Sequence, residues 1–386
     1  MSSFDTEGVS EDFVGRQREL ATLVAALDDA LAGRPRLLML VGEPGIGKTR
    51  TAQELASIAG ECGANVLWGR CHEGEGAPPY WPWLQVLRAI VHQTDADTLQ
   101  SQMADGAADI AEILPDLGRK LPDLKPPPQL EPEQAKFRLF DSITAFFKRA
   151  SEEQPLILIL DNLHRADASS LRLLEFFAQE LSEARLLVLG TYRDVDVSRG
   201  HPLYRALGEL ARLQNFQRVL LRGLSEDEVS GVIEVTGGVR PTARLVARVY
   251  RETEGNPLFV GEIVRLLAQE GRLENGDVDE QDFRLPEGVR EVIGRRLDAL
   301  SADCNEALRV ASVIGREFSI GQLERIVDGV SEDTLLNALD EAVGVRIIEE
   351  MPRSVGRYQF SHALIRQTLE AELTTTRRVR LHARIV

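Results

Sequence analysis

The chain is short of cysteine, with three in 386 residues. Cys62, Cys71 and Cys304 show no paired spacing, which argues against a disulfide framework and against a zinc site. Long apolar runs are missing as well. Stretches such as LLMLV (37–41) and LILIL (156–160) stop at five residues, far below the roughly 18 of a membrane span. Positive charge is in deficit: 45 basic side chains face 61 acidic ones, a formal net charge of −16. That balance argues against broad attraction to nucleic acid or anionic lipid. No internal repeat of fixed period appears. The opening MSSFDTEGVSEDF is polar and acidic, unlike a secretory leader. The expectation is a cytoplasmic protein with reduced thiols. Its apolar fraction of 43% and charged fraction of 27% are those of globular chains, and its length suggests two or three domains.

Apolar periodicity supplies the rest of the outline. Leu20, Leu23, Val24, Leu27 and Leu31 fall on one helical face. Arg36–Val41 is a short apolar run stopped by Gly42, as a buried parallel strand requires. A helix is expected from Lys48 to about Ala59, and further strands at Asn65–Trp68, Leu156–Leu160 and Leu186–Leu189. Strands alternating with helices imply a parallel sheet covered on both faces. Two interruptions read as irregular chain: GEGAPPYWPW (74–83), a loop anchored by its aromatics, and the five-proline stretch 121–133, an extended linker. Phe13, Trp68, Tyr80, Trp81 and Trp83 read as packing anchors. Beyond about Arg222 helices dominate, expected at 224–235 with Ser225 as cap, 244–252, 257–269 and 287–300. Two strands, 346–350 and 357–360, then suggest a two-stranded wing, and a last helix from about Ser361 is still running at Val386.

The sharpest motif is GEPGIGKT, Gly42–Thr49, which fits G-x-x-x-x-G-K-[ST] between a strand and a helix. Glycines let the main chain of Gly42, Glu43, Pro44, Gly45, Ile46 and Gly47 curl so that its N–H groups converge on phosphate oxygens. The helix amino terminus adds partial positive charge at that place. Lys48 is then expected to reach the β- and γ-phosphates and Thr49 to bind Mg2+. Asp161 follows five apolar residues and emerges at a strand's carboxyl end, where open α/β sheets bind ligands, so it is the second candidate metal ligand. Asn162 replaces the acid that often positions water there. An amide orients water without taking a proton, so hydrolysis is expected to be slow or to use another group such as Asp167. Arg193 closes the strand ending in GTYR and can sense the γ-phosphate. It can equally pair with Asp194 or Asp196.

Together these residues resemble the STAND class of P-loop ATPases, the signal-transduction ATPases with numerous domains. The likeness is nearest to the AAA+-like ATPase module of large LuxR-type transcriptional regulators and of ATPase-bearing adenylate cyclases. It rests on the order of FVGRQREL (13–20), GEPGIGKT, LDNLHRAD (160–167), GTYRDVD (190–196), EGNPLFVGEI (254–263) and FSHALIRQTL (360–369). The resemblance implies an α/β parallel-sheet P-loop domain (13–222) after a flexible start (1–12). A helical lid (223–285) and a winged-helix domain (286–386) follow it, with sensor and output domains beyond. It implies ATP/ADP and Mg2+ as ligands, with Val14, Gly15 and Arg16 on the adenine and Arg193 as a sensor; Arg50, next to Thr49, is a further candidate nucleotide-binding residue. It further implies that Pro257 touches the base and His362 the ADP β-phosphate. Pro257 serves equally as a helix starter, and His362, flanked by Ser361 and Ala363 instead of methionine and aspartate, equally as a packed histidine. His164 and Arg165 receive no role.

The implied mechanism is a switch. ADP holds a closed resting state, and exchange for ATP permits self-association or release of an output domain, which requires the two nucleotides to bind the two states differently. The competing reading is an AAA+-type DNA-loading or remodelling ATPase that uses its winged helix on DNA. Charge opposes it: residues 286–386 hold 14 arginines and no lysine against 16 acids, whereas DNA modules carry a basic face. Arg377, Arg378, Arg380 and Arg384 form the only locally basic stretch, as a solvated helix end also would. A GTPase is disfavoured by the absence of an N-K-x-D motif, and a kinase has no use for the carboxyl-terminal elements.

Overall fold

A computed structural model of the chain describes residues 13–72, 76–124, 126–273, 286–327, 331–351 and 354–385. They divide into two compact units, one up to Leu221 and one from Arg222.

The first unit opens with α1 (Gln17–Leu31), β1 (Arg36–Val41), α2 (Lys48–Glu61) and β2 (Asn65–Arg70). A helical excursion follows: α3 (Trp81–Gln93), α4 (Ala96–Met103), α5 (Ala107–Ile113), α6 (Pro115–Lys120) and α7 (Pro132–Glu153). The chain then returns through β3 (Leu156–Asp161), α8 (Ala168–Glu180), β4 (Leu186–Tyr192), α9 (Pro202–Leu210) and β5 (Phe216–Leu220). The five strands form one parallel sheet in the order β2-β3-β4-β1-β5. Alternation along each strand sends side chains to opposite faces. Leu37, Met39, Leu158, Leu160 and Val188 join Trp83, Phe146 and Phe177 in one core. Leu38, Leu40, Ile157, Ile159 and Leu189 join α1 and α2 residues such as Leu27 and Leu55 in another. Burial on both faces explains why these strands read as unbroken apolar runs.

The sheet matches the expected parallel α/β architecture, with several corrections. The loop read at 74–83 ends early: Trp81 starts α3, with Pro82 in its first turn, and residues 73–75 lie outside the described ones. Of the aromatics there, Trp83 is fully buried and donates its indole N–H to the Ser170 carbonyl at 3.1 Å, a packing role as expected. The proline-rich stretch gives way at Pro132, which stands in the first turn of α7. β5 went unseen because it is an edge strand whose side chains are mostly exposed.

The second unit contains α10 (Glu226–Gly237), α11 (Ala243–Thr253), α12 (Pro257–Gln269), α13 (Glu287–Leu297) and α14 (Ala302–Ile314). Next come β6 (Glu317–Ser319), α15 (Ile320–Ile326), α16 (Glu332–Gly344), β7 (Ile348–Glu350), β8 (Arg357–Phe360), α17 (Ala363–Glu372) and α18 (Thr375–Ile385). Ser225 starts α10 with a reciprocal capping box to Glu228. One hydrophobic core runs from Leu224 through Phe259, Leu308 and Phe318 to Leu381. The small sheet has three antiparallel strands in the order β6-β8-β7, where the sequence suggested two. β6 is only three residues long and hides between two helices. The single terminal helix is likewise two helices, α17 ending at Glu372 and α18 starting at Thr375.

Candidate functional site

Three sheet strands deliver their polar ends to one place. β1 ends at Val41, β3 at Asp161 and β4 at Tyr192, with β4 paired between the other two. Strand alternation puts Asp161 on the same face as Ile157 and Ile159, the face that α2 covers. Thr191 on β4 points the same way. The aspartate is therefore delivered to the amino-terminal end of α2 by strand geometry alone.

The loop before α2 needs its glycines. Gly42 has φ +154°, and a Cβ there would stand 2.7 Å from the Leu221 carbonyl oxygen. Gly45 and Gly47 have φ of +78° and +98°, a region that favours glycine. Ile46 between them plugs into the α1–α2 core and is 4% exposed. Gly47 precedes the helix with no side chain to cap it, so the positive end of the α2 dipole faces the loop. Glu43 and Pro44 are half-buried, and Arg50 turns outward to the ring of Phe13 at 5.4 Å and to Glu54 at 3.1 Å.

Lys48 folds back over the loop and donates to the carbonyls of Gly42 at 2.7 Å and Glu43 at 2.8 Å. Burial pushes its pKa down to about 8, and the nearby Arg193 cation pushes the same way. The carboxylates of Asp194, Asp161 and Asp196 act in the opposite sense. Asp161 is 1% exposed. Its Oδ1 accepts from the Thr191 hydroxyl at 2.6 Å, its Oδ2 accepts from Arg70 Nε at 3.2 Å, and the Thr49 hydroxyl lies 3.4 Å from both oxygens. That last separation is long for an O–H···O bond. Thr49 and Asp161 are hard oxygen donors of the type Mg2+ prefers, and that ion usually takes one or two carboxylates plus phosphate oxygens. Among the described residues no group of three or more His, Cys, Asp or Glu forms a ready metal cage. The donors present fit a magnesium ion that arrives with a nucleotide.

The surrounding segments lock these groups. Gly15 and Arg16 have φ of +77° and +63°, and Arg16, 5% exposed, donates to the Ile46 carbonyl at 2.9 Å. This ties Val14, Gly15 and Arg16 to the phosphate loop. Arg193 lies 3.7 Å from Asp196, so the ion pair considered from the sequence is made. His164 is buried beneath it, accepts the Arg193 main-chain N–H at 3.4 Å on Nδ1, and holds Nε2 3.5 Å from Asp196. Burial, then the charge of Arg193, lowers the His164 pKa to about 3, so the ring is a neutral support for the arginine. Asp167 is committed as the amino-terminal cap of α8, accepting from Ser169 and Ser170 at 2.9 Å and from Tyr80 N at 3.2 Å. It is thereby a poor substitute for a hydrolytic base. Cys71 is buried, with its thiol pKa raised to about 12, an inert packing residue.

Pro257 and His362 belong to the second unit. Glu254 (φ +49°) and Gly255 (φ +73°) turn the chain, Asn256 caps α12 by accepting from Leu258 N at 3.2 Å, and Pro257 is the first helical residue. His362 is 6% exposed, stands 3.5 Å from Glu254 through Nδ1, and meets Phe259 edge-on at 5.9 Å between ring centres. The EGNPLF and FSHAL motifs therefore meet within this unit.

Sequence reasoning missed Arg70 and Thr191. Thr191 carried a signal, since in GTYR it alternates with Gly190 and Tyr192 toward the aspartate's face. Arg70 carried none until β2 was known to pair with β3 in the register Arg70 to Asp161.

Comparison with known proteins adds to this geometry. Residues 12–189 match the family model described as AAA ATPase domain. An uncharacterized protein of Rhizobium meliloti is 24% identical over 403 residues, covering 96% of this chain and 36% of that protein. The chain thus spans just over a third of that relative's length. Among solved structures, a Walker-type ATPase of Pyrococcus abyssi superposes with a TM-score of 0.59 at 16% identity, over 95% of this chain and 99% of that one. A signal transduction ATPase with numerous domains, carrying a tetratricopeptide repeat sensor, from Pyrococcus horikoshii gives a TM-score of 0.41 at 16% identity, over 100% of this chain and 46% of that one. No helix among the described residues is long and apolar enough to cross a membrane. Residues 12–189, just under half of the chain, are thus similar to the AAA ATPase domain family, and the strand, glycine loop and helix from Arg36 to Glu61 have the form of a P-loop nucleotide site.

Proposed function

We propose that this chain is the nucleotide-controlled switch module of a signalling or transcription-regulatory protein, a STAND ATPase of the kind found in LuxR-type regulators and ATPase-bearing cyclases. The observation that carries the reading is the convergence of Lys48, Thr49, Asp161 and Arg193 on the loop 42–49. The order of the further motifs, through EGNPLFVGEI and FSHALIRQTL, supports a switch over a motor. In this reading residues 223–285 act as a helical lid and 286–386 as a winged-helix domain. Val14, Gly15, Arg16 and Pro257 contact the base, and His362 contacts the β-phosphate of ADP.

The chain's own residues then divide the work. The loop amides and Lys48 bind the phosphates, Thr49 and Asp161 orient the metal, and Arg193, seated on neutral His164, detects the γ-phosphate. Magnesium, when bound, supplies charge neutralisation on the phosphate oxygens. Asn162, at φ +64°, orients water but accepts no proton, so turnover is slow and the ADP state persists. Self-association in the ATP state and output domains beyond this chain belong to the same proposal.

The test is nucleotide retention. Protein purified without added nucleotide should release ADP on denaturation, and calorimetry with Mg-ADP should give a saturable heat. Lys48→Ala should weaken binding at least about hundredfold, the loss of a buried charge-assisted contact to phosphate. Equal retention by the variant would place the nucleotide elsewhere.

A further inference from the structure

Asp161 is buried, and the lysine of the loop is occupied with main-chain carbonyls at 2.7 and 2.8 Å. The cation that faces the aspartate directly is Arg70, whose Nε lies 3.2 Å from Oδ2. Arg70 is anchored and mobile in different parts. Its main chain lies in the edge strand β2, and the Gln85 amide from α3 closes that edge, accepting from Arg70 N at 3.3 Å and donating to Arg70 O at 2.8 Å. Its side chain is 60% exposed and borders an open cleft of about 440 Å³ lined by Gln53, Ala56, Trp68, Arg70 and Gln85. The stem is fixed, and the guanidinium has room to leave.

A metal held by Thr49 and Asp161 would claim the same carboxylate that Arg70 holds. Two cations cannot both keep a close contact with one carboxylate oxygen without repelling one another. We propose that Arg70 is a positioning residue that competes with the divalent cation for Asp161, and so sets how strongly nucleotide binding depends on metal. With the metal bound, the guanidinium withdraws into the cleft beside Trp68. Without it, Arg70 neutralises Asp161 and keeps the carboxylate from repelling the nucleotide phosphates. The site thereby tolerates a nucleotide whose metal has left, a useful property in a long-lived diphosphate state. This inference rests on the phosphate-site reading above.

The experiment measures ADP binding to the full chain by calorimetry across a magnesium series, and again in EDTA, for the parent, Arg70→Gln and Arg70→Lys. For Arg70→Gln the magnesium concentration giving half-maximal tight binding should fall about tenfold, and binding in EDTA should weaken about tenfold, as expected for removing one screened charge at contact distance. Arg70→Lys, which keeps the charge, should stay within about threefold of the parent on both counts. Thermal unfolding of the ligand-free variants checks that both fold. An unchanged or increased magnesium requirement in Arg70→Gln overturns the proposal, as does an Arg70→Lys that behaves like Arg70→Gln. Absence of any ADP binding by the parent protein would instead overturn the phosphate-site reading itself.

Discussion

Two glycine-containing motifs, GEPGIGKT and EGNP, look alike as strings and differ in how much of each the fold itself requires. In EGNP every residue has a local reason. Gly255 sits at φ +73°, and a Cβ there would be 2.0 Å from the Leu224 carbonyl oxygen. Asn256 caps a helix, Pro257 begins it, and Glu254 pairs with Arg316. In GEPGIGKT the glycines and Ile46 have such reasons, whereas Lys48 bonds two loop carbonyls but is buried at a cost. A lysine buried to 8% exposure, with its pKa depressed to about 8 and a second cation nearby, costs folding energy. Residues that oppose the stability of their own fold point to chemistry, whereas residues that serve it are silent about function.

The largest effect that tests the contrast is at Gly255. Alanine there combines a left-handed backbone, costing about 1–2 kcal/mol, with a main-chain clash of the kind that costs about 1–3 kcal/mol. Gly255→Ala should lower the unfolding free energy by about 3 kcal/mol, read as a shift of the urea midpoint. A loss below about 1 kcal/mol would mean that EGNP is not held together by local geometry, and the contrast with the phosphate loop would collapse.

Next comes the pH dependence of Lys48. Its pKa in the folded protein is about 8, and in the proposed site the charged form would bind phosphate. ADP affinity should therefore fall as pH rises above 8, by up to about tenfold per unit, until the pKa of the bound state is reached. Calorimetry between pH 7 and pH 9.5 measures this. Stability should move the other way. The folded pKa lies below the ordinary 10.5, so between about 8 and 10.5 the unfolded chain binds more protons, and the linkage relation makes this lysine's contribution to stability rise with pH. Affinity that stays flat to pH 9.5 would show a lysine at its ordinary pKa, with no cost of burial to explain.

The same distinction explains what was legible in the sequence. β1 and α12 were bounded to the residue, because Val41 abuts an obligatory glycine turn and Pro257 can only begin a helix. The parallel sheet was legible because doubly covered strands such as LILILD are apolar throughout. Lys48, Thr49 and Asp161 were legible because they break that pattern at strand and helix ends. β5 was not, since FQRVL is an exposed edge. β6 was not, since three residues make too short an alternation to detect. Helices α3 and α7 were obscured at their starts by Pro82 and Pro132, which were read as part of a loop and a linker but stand in the first turns of helices. Arg70 was invisible for a different reason. Its meaning lies in a cross-strand register with Asp161, 91 residues away, and no local pattern encodes strand order.

Pro257 gives the smallest effect and the finest division between the two motifs. As the first helical residue of α12 it fixes a backbone angle that the helix adopts anyway, and its missing N–H would have no helical partner there. Pro257→Ala should therefore lower stability by only about 0.4–1 kcal/mol, chiefly by freeing the unfolded chain. If the proline also packs on the base, loss of its ring methylenes should weaken ADP binding by about 0.8 kcal/mol for each one buried there, roughly fourfold. The two readouts separate the roles, because a helix starter changes the unfolding midpoint without changing nucleotide affinity. ADP affinity equal to that of the parent would return Pro257 to the same class as Gly255 and Asn256, residues that EGNP keeps for its own folding.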